Sequence, residues 1–462
     1  MKKAYDVALI GGGPAAIFAA YELAAKAPEL SVAIFEAGDD IYARNCPLAD
    51  KKVKRCIACK TCGMMRGFGG AGAFSDGKYN FTAEFGGWLR DFLPEEDILE
   101  LIDYVDQINL SFGAPAECYT TENSRLAGVA LAHDLHLLHA RVRHLGTENN
   151  VKILRLLYED LRQKCHIFCK TAVLDIELVQ ERFRLLLDGG STVECRYLIA
   201  APGRSGSDWF ADQCKKLGLE LVNNRVDIGV RVEIPAVVFQ HITDEVYEAK
   251  LLYRTKRYGD LVRTFCMNPY GYVVAENTDG IMTVNGHSYR DARLRSKNTN
   301  FALLVSNRFT EPFNAPHQYG RRIASLANIL SGGVVVQRFG DLVKGRRTNE
   351  HRLAQSFTRP TLKATPGDLS LVLPKRHLDN IVEMIYALDK IAPGMANKDT
   401  LLYGVEVKFY SSRLKLTKEL ETEIHNMFAI GDGAGITRGL SQAAASGVYV
   451  GRVIAGRSKK SG

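Results

Sequence analysis

The feature that constrains this chain most is a glycine turn near its start, Gly11-Gly12-Gly13-Pro14-Ala15-Ala16, between the apolar run 4–10 and a helically spaced stretch over 14–26. A short apolar run bounded by glycines reads as a buried strand. A second such run, SVAIFE, follows at 31–36. Strand, glycine turn, helix and strand within about 30 residues form a dinucleotide-binding unit. Gly11 permits the tight turn, Gly13 leaves the backbone open to a pyrophosphate, and Ala16 lets helix and strand pack closely. Pro14 and Ala15 open the helix, whose N-terminal N–H groups and dipole favour an anion. Glu36, followed by Ala37, ends the second strand, where a carboxylate accepts hydrogen bonds from ribose hydroxyls and repels a 2′-phosphate. A merely glycine-rich turn is the plainer alternative, and it leaves the acid at this distance unexplained.

Two further segments extend the pattern. Arg66–Lys78 reads RGFGGAGAFSDGK. Glycine at this density holds backbone close to something flat or anionic, so Gly69, Gly70, Ala71, Gly72, Ser75 and Asp76 are expected to line the cofactor, with Phe68 and Phe74 anchoring the loop. Near the other end, Ala429-Ile430-Gly431-Asp432-Gly433 puts a carboxylate at the end of an apolar strand. Asp432 is placed to bond a flavin ribityl chain. Gly439, Leu440 and Ser441 then begin a helix whose positive N-terminus would face the flavin pyrimidine and stabilise negative charge there. A nucleotide turn at each end of the chain predicts FAD, held by an α/β domain assembled from sequence-distant pieces.

In these motifs the sequence resembles the uncharacterised prokaryotic FAD-dependent dehydrogenases, a branch of the glutathione-reductase-like NAD(P)/FAD-dependent oxidoreductases. The shared stretches are GGGPAA, GFGGAGAFSDGK, HLGT (144–147), DIGVRVEIP (227–235), TFCMNPYGYVV (264–274), VNGHSYRD (284–291), NTNFALLV (298–305) and GDGAGITRGLSQAA. Some relatives carry a segment before the first glycine turn, whereas this sequence opens on it. The resemblance implies FAD and redox chemistry, and it names no substrate. It also implies cofactor contacts at Val173, where such enzymes touch adenine, and at Gly203, in an Ala-Thr-Gly-type turn. The implied fold is α/β: a discontinuous Rossmann-type FAD-binding domain over 1–225 and 386–462, with a mixed β/α substrate domain over 226–385, expected as short strands mixed with loops.

Four cysteines cluster, Cys56-x-x-Cys59-x-x-Cys62 with Cys46 upstream. The set fits a [4Fe–4S] cluster, a structural zinc, a thiol relay to FAD or plain thiols. Lys51, Lys52, Lys54 and Arg55 would favour thiolates. The six others (Cys118, Cys165, Cys169, Cys195, Cys214, Cys266) lack chelating spacing and read as core thiols. His133, His136 and His139 have helical spacing but no matching carboxylate, so a polar stripe is favoured over a metal site.

No second glycine fingerprint exists for NAD(P)H, so electrons must pass at the flavin face to a small substrate, a transiently bound nicotinamide or a protein donor. The expected reaction is two-electron transfer at flavin N5; an FAD monooxygenase or an electron-transfer subunit working through the cysteines is the alternative. Catalytic candidates are His287 as acid/base, Arg231 on a substrate carboxylate or a structural acid, and Tyr270, with Asn268, Tyr289 and Asn300 nearby in sequence or pattern. The net charge of +8 comes from scattered basic residues without interleaved aromatics, which argues against a nucleic-acid platform. No apolar run reaches 18 residues, so no membrane span is expected. Asp6 and the glycine break interrupt what would otherwise imitate a signal peptide, and a cytoplasmic protein is expected.

Overall fold

The computed structural model describes all residues apart from 51, 54, 55, 58, 123, 140, 223–225, 279, 308–315, 410–412 and 462. The chain divides into two compact units: residues 1–116, 143–224 and 411–462 form one, and 117–142 with 225–410 form the other.

The first unit is built on a seven-stranded sheet. His166–Phe168, Val32–Phe35, Ala4–Ile10 and Thr192–Ala200 run parallel in that order. Met427–Ala429 joins them from the far end of the sequence, parallel to Leu198–Ala200. The antiparallel meander Val173–Val179 and Arg182–Leu187 pairs with the start of Thr192–Ala200. Val7, Leu9, Ile34, Leu198 and Phe428 are fully buried, as expected where helices cover both faces of a parallel sheet. The helices Pro14–Lys26 and Leu440–Ser461 pack against each other through small residues: Ala15, Ala16, Ala19, Ala444 and Ala445 are all buried. This is the discontinuous Rossmann-type arrangement that the two glycine turns predict.

The second unit holds an eight-stranded sheet, ordered Thr365–Pro366, Val335–Arg338, Leu401–Phe409, Val226–Pro235, Asn298–Asn307, Leu261–Asn268, Leu251–Arg254 and Leu135–Leu137. Val226, Ile228, Val230, Val232 and Ile234 point to one face and meet Phe239, Ile323, Ile381 and Ile385 from the helices Ala236–Val246, Pro316–Ser331 and Lys375–Asp389. Asp227, Arg231 and Glu233 alternate onto the other face, and they too are buried.

The three long helices differ from the expected mixture of strands and loops. Val237, Val238, Ile242, Thr243 and Val246 give Ala236–Val246 the composition of a strand, and tertiary burial of one face overrides that preference. His136 lies in the strand Leu135–Leu137 opposite Leu252, so the three histidines share no helix face. No helix among the described residues is long and apolar enough to cross a membrane.

Candidate functional site

The site of the first unit starts from the turn after Ala4–Ile10. Gly11 donates its N–H to the Phe35 carbonyl at 2.8 Å with φ of 101°. A Cβ there would run into the Ala201 carbonyl, so the turn tolerates only glycine. Gly13 precedes the helix Pro14–Lys26, with proline in its first turn. The glycine loop docks on this turn: Gly69 N–H bonds the Gly12 carbonyl at 2.7 Å. Gly70, with φ of 62°, approaches so closely that a Cβ would lie 3.0 Å from the Gly13 Cα. Two backbones without side chains thus meet at a helix N-terminus, next to Ala71 and Gly72 of the short turn Gly70–Gly72.

Glu36 is buried, and its carboxylate accepts from Gly12 N at 2.6 Å, Gly38 N at 2.8 Å and Gly67 N at 2.9 Å. Ala37 lies next to it at the exit from the strand Val32–Phe35. An ionised carboxylate offers about four acceptor positions, so capacity remains for a hydroxyl donor.

Two residues that the sequence reading missed hold the glycine loop. Arg44 is buried and donates from Nε to the Gly63 carbonyl at 2.9 Å and from Nη2 to Met64 at 2.9 Å. Its Nη1 serves Gly67, Phe68 and Gly70 at 3.2, 2.7 and 2.8 Å. Its Cζ lies 5.0 Å from the Phe74 ring centroid. Burial pushes this guanidinium down to about 10, which leaves it charged at neutral pH. From the helix Thr147–Leu161, buried Asn150 donates to the Gly72 and Ala73 carbonyls at 2.8 and 3.0 Å. No motif marks either residue; the only signal is an arginine or asparagine near a loop whose carbonyls need donors. Ser75 donates to the Gly72 carbonyl at 2.7 Å. Asp76 is buried between Lys78 Nζ at 3.1 Å and His144 Nε2 at 3.6 Å.

The C-terminal turn follows Met427–Ala429. Asp432 accepts at 2.8 Å from the Thr437 hydroxyl, and Trp88 N–H and the Gly86 carbonyl fasten the segment through Ile436 and Arg438 at 2.9 and 2.8 Å. Gly439 leads into the helix Leu440–Ser461. At its N-terminus Ser441 and Gln442 are buried, and the Ser441 hydroxyl and Gln442 Oε1 have no hydrogen-bond partner among the described residues. Buried polar atoms without partners are rare and call for one. Val173 heads its strand, buried, opposite Leu187, and Gly203 begins the turn after Thr192–Ala200.

Of the four readings left open for the clustered cysteines, no metal site is evident among the described residues. Cys46, Cys56, Cys59 and Cys62 are unbridged, Cys59 is exposed, and no group of three His, Cys, Asp or Glu able to hold a metal forms among the described residues. Spacing of three brings sulfurs together only when the backbone closes around a centre. Among the described residues, hydrogen-bonded turns close locally from Cys46 to Asp50 and from Cys62 to Arg66. Lys51, Lys54 and Arg55 lie outside the described residues; Lys52 pairs with Asp50 at 3.3 Å. Cys165, Cys169, Cys195 and Cys214 are pushed up to about 12 by burial, which makes them inert thiols.

In the second unit, Arg231 is fully buried and its guanidinium is committed: Nη1 to Glu406 at 3.2 Å, Nε to Asn300 at 2.9 Å and Nη2 to the Cys266 carbonyl at 2.7 Å. Of the two roles left open for it, the contacts are those of the structural acid partner. Asn268 donates to the Cys266 carbonyl and to Asn300 at 2.9 and 3.3 Å. His287 is half-buried between rings, 4.9 Å from Tyr289 and 6.0 Å from Tyr272. Tyr270 takes a left-handed φ of 51°, with Arg295 Cζ 5.6 Å from its ring centroid. Glu233 was not foreseen: buried, it accepts from Tyr403 and Thr361 hydroxyls, both at 2.5 Å, and from Asn298 at 3.0 Å. Burial, then Glu233, raises the Tyr403 phenol well above its ordinary value.

Comparison with known proteins adds sequence-level evidence. An uncharacterised protein of Clostridium beijerinckii is 26% identical over 465 aligned positions, covering 96% of this chain and 79% of the relative. Among solved structures, glycine oxidase from Geobacillus kaustophilus aligns over 99% of this chain and 95% of its own at 12% identity and a TM-score of 0.43. The FrdA chain of Escherichia coli quinol fumarate reductase aligns over 99% and 71% at 14% identity and a TM-score of 0.43. These overall likenesses are low, and the chemistry of the site is read from its own residues. Residues 226–409 match the family described as FAD-dependent protein, C-terminal domain-like.

Proposed function

We propose that the chain binds one FAD on its first unit and acts as an oxidoreductase, moving two electrons to or from a small substrate. One observation carries the reading: glycine turns from opposite ends of the sequence follow the strands Ala4–Ile10 and Met427–Ala429, which flank Thr192–Ala200 in one sheet. The residues fit the cofactor. Glu36 keeps acceptor capacity for adenosine ribose hydroxyls. Gly13 and Gly70 leave backbone open for a pyrophosphate at a helix N-terminus. Val173 and Gly203 would border the adenosine half. Asp432 would accept from ribityl hydroxyls, and the Ser441 hydroxyl would gain the partner it lacks at the N-terminus of Leu440–Ser461.

When bound, FAD supplies a two-electron acceptor or donor at N5. The chain's part is to bind, orient and handle protons. Arg44 and Asn150 fix the loop carbonyls and so the direction of its N–H groups. His287 offers an imidazole as acid/base, and Tyr270, on the same unit, is a second candidate. The test is direct. Purified protein, reconstituted with FAD and desalted, should retain about one flavin per chain and show bound-flavin absorbance. Colourless protein that fails to take up FAD overturns the reading.

A further inference from the structure

One surface of the second unit turns its carboxylates inward and its cations outward. It is built on a buried hub. Arg338 ends the strand Val335–Arg338 and donates from Nε to Asp399 at 2.9 Å. Asp341, on the short helix Phe339–Val343, accepts from Arg346 at 2.8 Å and from the Thr348 hydroxyl at 2.9 Å, with Arg352 Nε 3.5 Å away. Asp341 and Asp399 are both buried. At the borders, half-buried Asp368 and Asp389 accept from the backbone N–H groups of Ser370, Gly394 and Ala396.

What reaches solvent around this hub is basic. Lys344, Arg346, Arg347, Arg359, Lys363 and Lys398 are exposed, against Glu350 alone among the carboxylates of 338–368 and 398–399. Backbone bonds hold the two stretches on one helix: Gly340 N–H meets the Lys398 carbonyl and Arg346 N–H the Asp341 carbonyl, each at 3.0 Å. One ring stands among these charges. Phe357 is 85% exposed, the highest value of any large apolar side chain among the described residues. Its backbone is fixed, because Ser356 and Thr358 on either side are buried and its own N–H meets Asp399 Oδ2 at 3.4 Å. Val343, at the end of the same helix, is exposed as well. Scattered apolar side chains at a surface are ordinary; a ring held out on a fixed backbone amid outward cations is a more specific arrangement.

We propose that this surface docks the protein on an anionic lipid bilayer. Phe357 enters the boundary between headgroups and acyl chains, and Lys344, Arg347, Arg359 and Lys398 meet the anionic headgroups. The bilayer offers both media that the surface asks for, an apolar edge for the ring and negative charge for the cations. A protruding ring favours a bilayer over an acidic protein, which would have to supply a pocket for it. A nucleic acid would call for several rings on which to stack its bases. The proposal goes beyond the flavin reading and stands apart from it.

The test uses the full chain and vesicles of phosphatidylcholine, alone or mixed equally with phosphatidylglycerol, read by co-sedimentation. The chain should bind the anionic vesicles about tenfold more tightly, and added salt should weaken that binding. Lys344→Glu combined with Arg347→Glu should weaken it about tenfold, and Phe357→Ser about fivefold. Lys398→Glu gives the same reading if the double variant misfolds. Phe357→Trp should bind like the parent, with its emission shifted to the blue on anionic vesicles only. The proposal is overturned if neutral and anionic vesicles bind alike, or if the glutamate and serine variants bind like the parent. Soluble polyglutamate or RNA bound as tightly as the vesicles, with no loss in Phe357→Ser, marks a general polyanion surface and overturns it too.

Discussion

Replacing Arg44 with lysine tests whether the glycine loop is held by a buried guanidinium. Five carbonyls, of Gly63, Met64, Gly67, Phe68 and Gly70, accept from this one side chain at 2.7 to 3.2 Å. An ammonium has three N–H donors on a single atom, so at least two carbonyls lose their donor. Each orphaned buried acceptor costs roughly 1–3 kcal/mol, less where water enters. Arg44 is only 5% exposed, so solvent offers little relief, and Arg44→Lys should destabilise the FAD-free protein by about 3 kcal/mol. Arg44→Met, with no donor at all, should cost about 5 kcal/mol. The loop that docks on Gly12 and Gly13 also loosens, so FAD affinity should fall at least tenfold, about 1.4 kcal/mol. Urea unfolding reads the first effect, and quenching of flavin fluorescence on titration reads the second. If Arg44→Lys unfolds within about 0.5 kcal/mol of the parent and binds FAD equally well, the guanidinium is not what holds the loop.

Glu36→Gln should weaken FAD by roughly 10- to 100-fold, because the amide presents N–H to backbone N–H groups and loses charge-assisted bonds of about 1.5–3 kcal/mol; unchanged flavin affinity would refute the role. His377 is buried with no hydrogen-bond partner on either ring nitrogen among the described residues, and burial lowers it from 6.5 to about 4. A lowered histidine stays neutral in the fold, so stability is whole above pH 6.5 and is lost as pH falls towards 4. At about 1.4 kcal/mol per pH unit the loss approaches 3 kcal/mol, and His377→Leu should remove that part of the slope in unfolding measured at pH 7, 5.5 and 4. Arg231→Met should destabilise the protein by about 3 kcal/mol, softened by Lys408 remaining on Glu406; a variant of parental stability with only a raised KM would return Arg231 to the substrate.

The first unit was largely readable because its constraints are local and chemical. Gly11 has no tolerable substitute beside Ala201, and Ala4–Ile10, Val32–Phe35 and Met427–Ala429 are apolar runs ended by glycines or an acid. Their partners in the sheet follow from the known unit. Arg44 and Asn150 escaped because a donor to carbonyls needs no fixed spacing: any long polar side chain reaching the loop would serve. The helix Ala236–Val246 escaped for a different reason, since its β-branched residues favour a strand until Phe239, Ile242 and Val246 find a core.

The cysteines and the polar sheet face mark two limits of sequence patterning. Cys56, Cys59 and Cys62 carry a ligand-like spacing, but spacing constrains sulfurs only when the backbone wraps them, and the described hydrogen-bonded turns at Cys46 and Cys62 are local ones. Lys250, Arg263 and Lys408 are far apart in the chain and carry no spacing at all, yet three strands bring them to one ring. Alternation within Val226–Pro235 held the clue: a strand with apolar residues at every even position puts Asp227, Arg231 and Glu233 on one side. A solvated face would leave those side chains exposed, but all three are buried. Charges withdrawn from water must be met by other groups, and the groups that meet them are the lysines, arginines and carboxylates of the neighbouring strands.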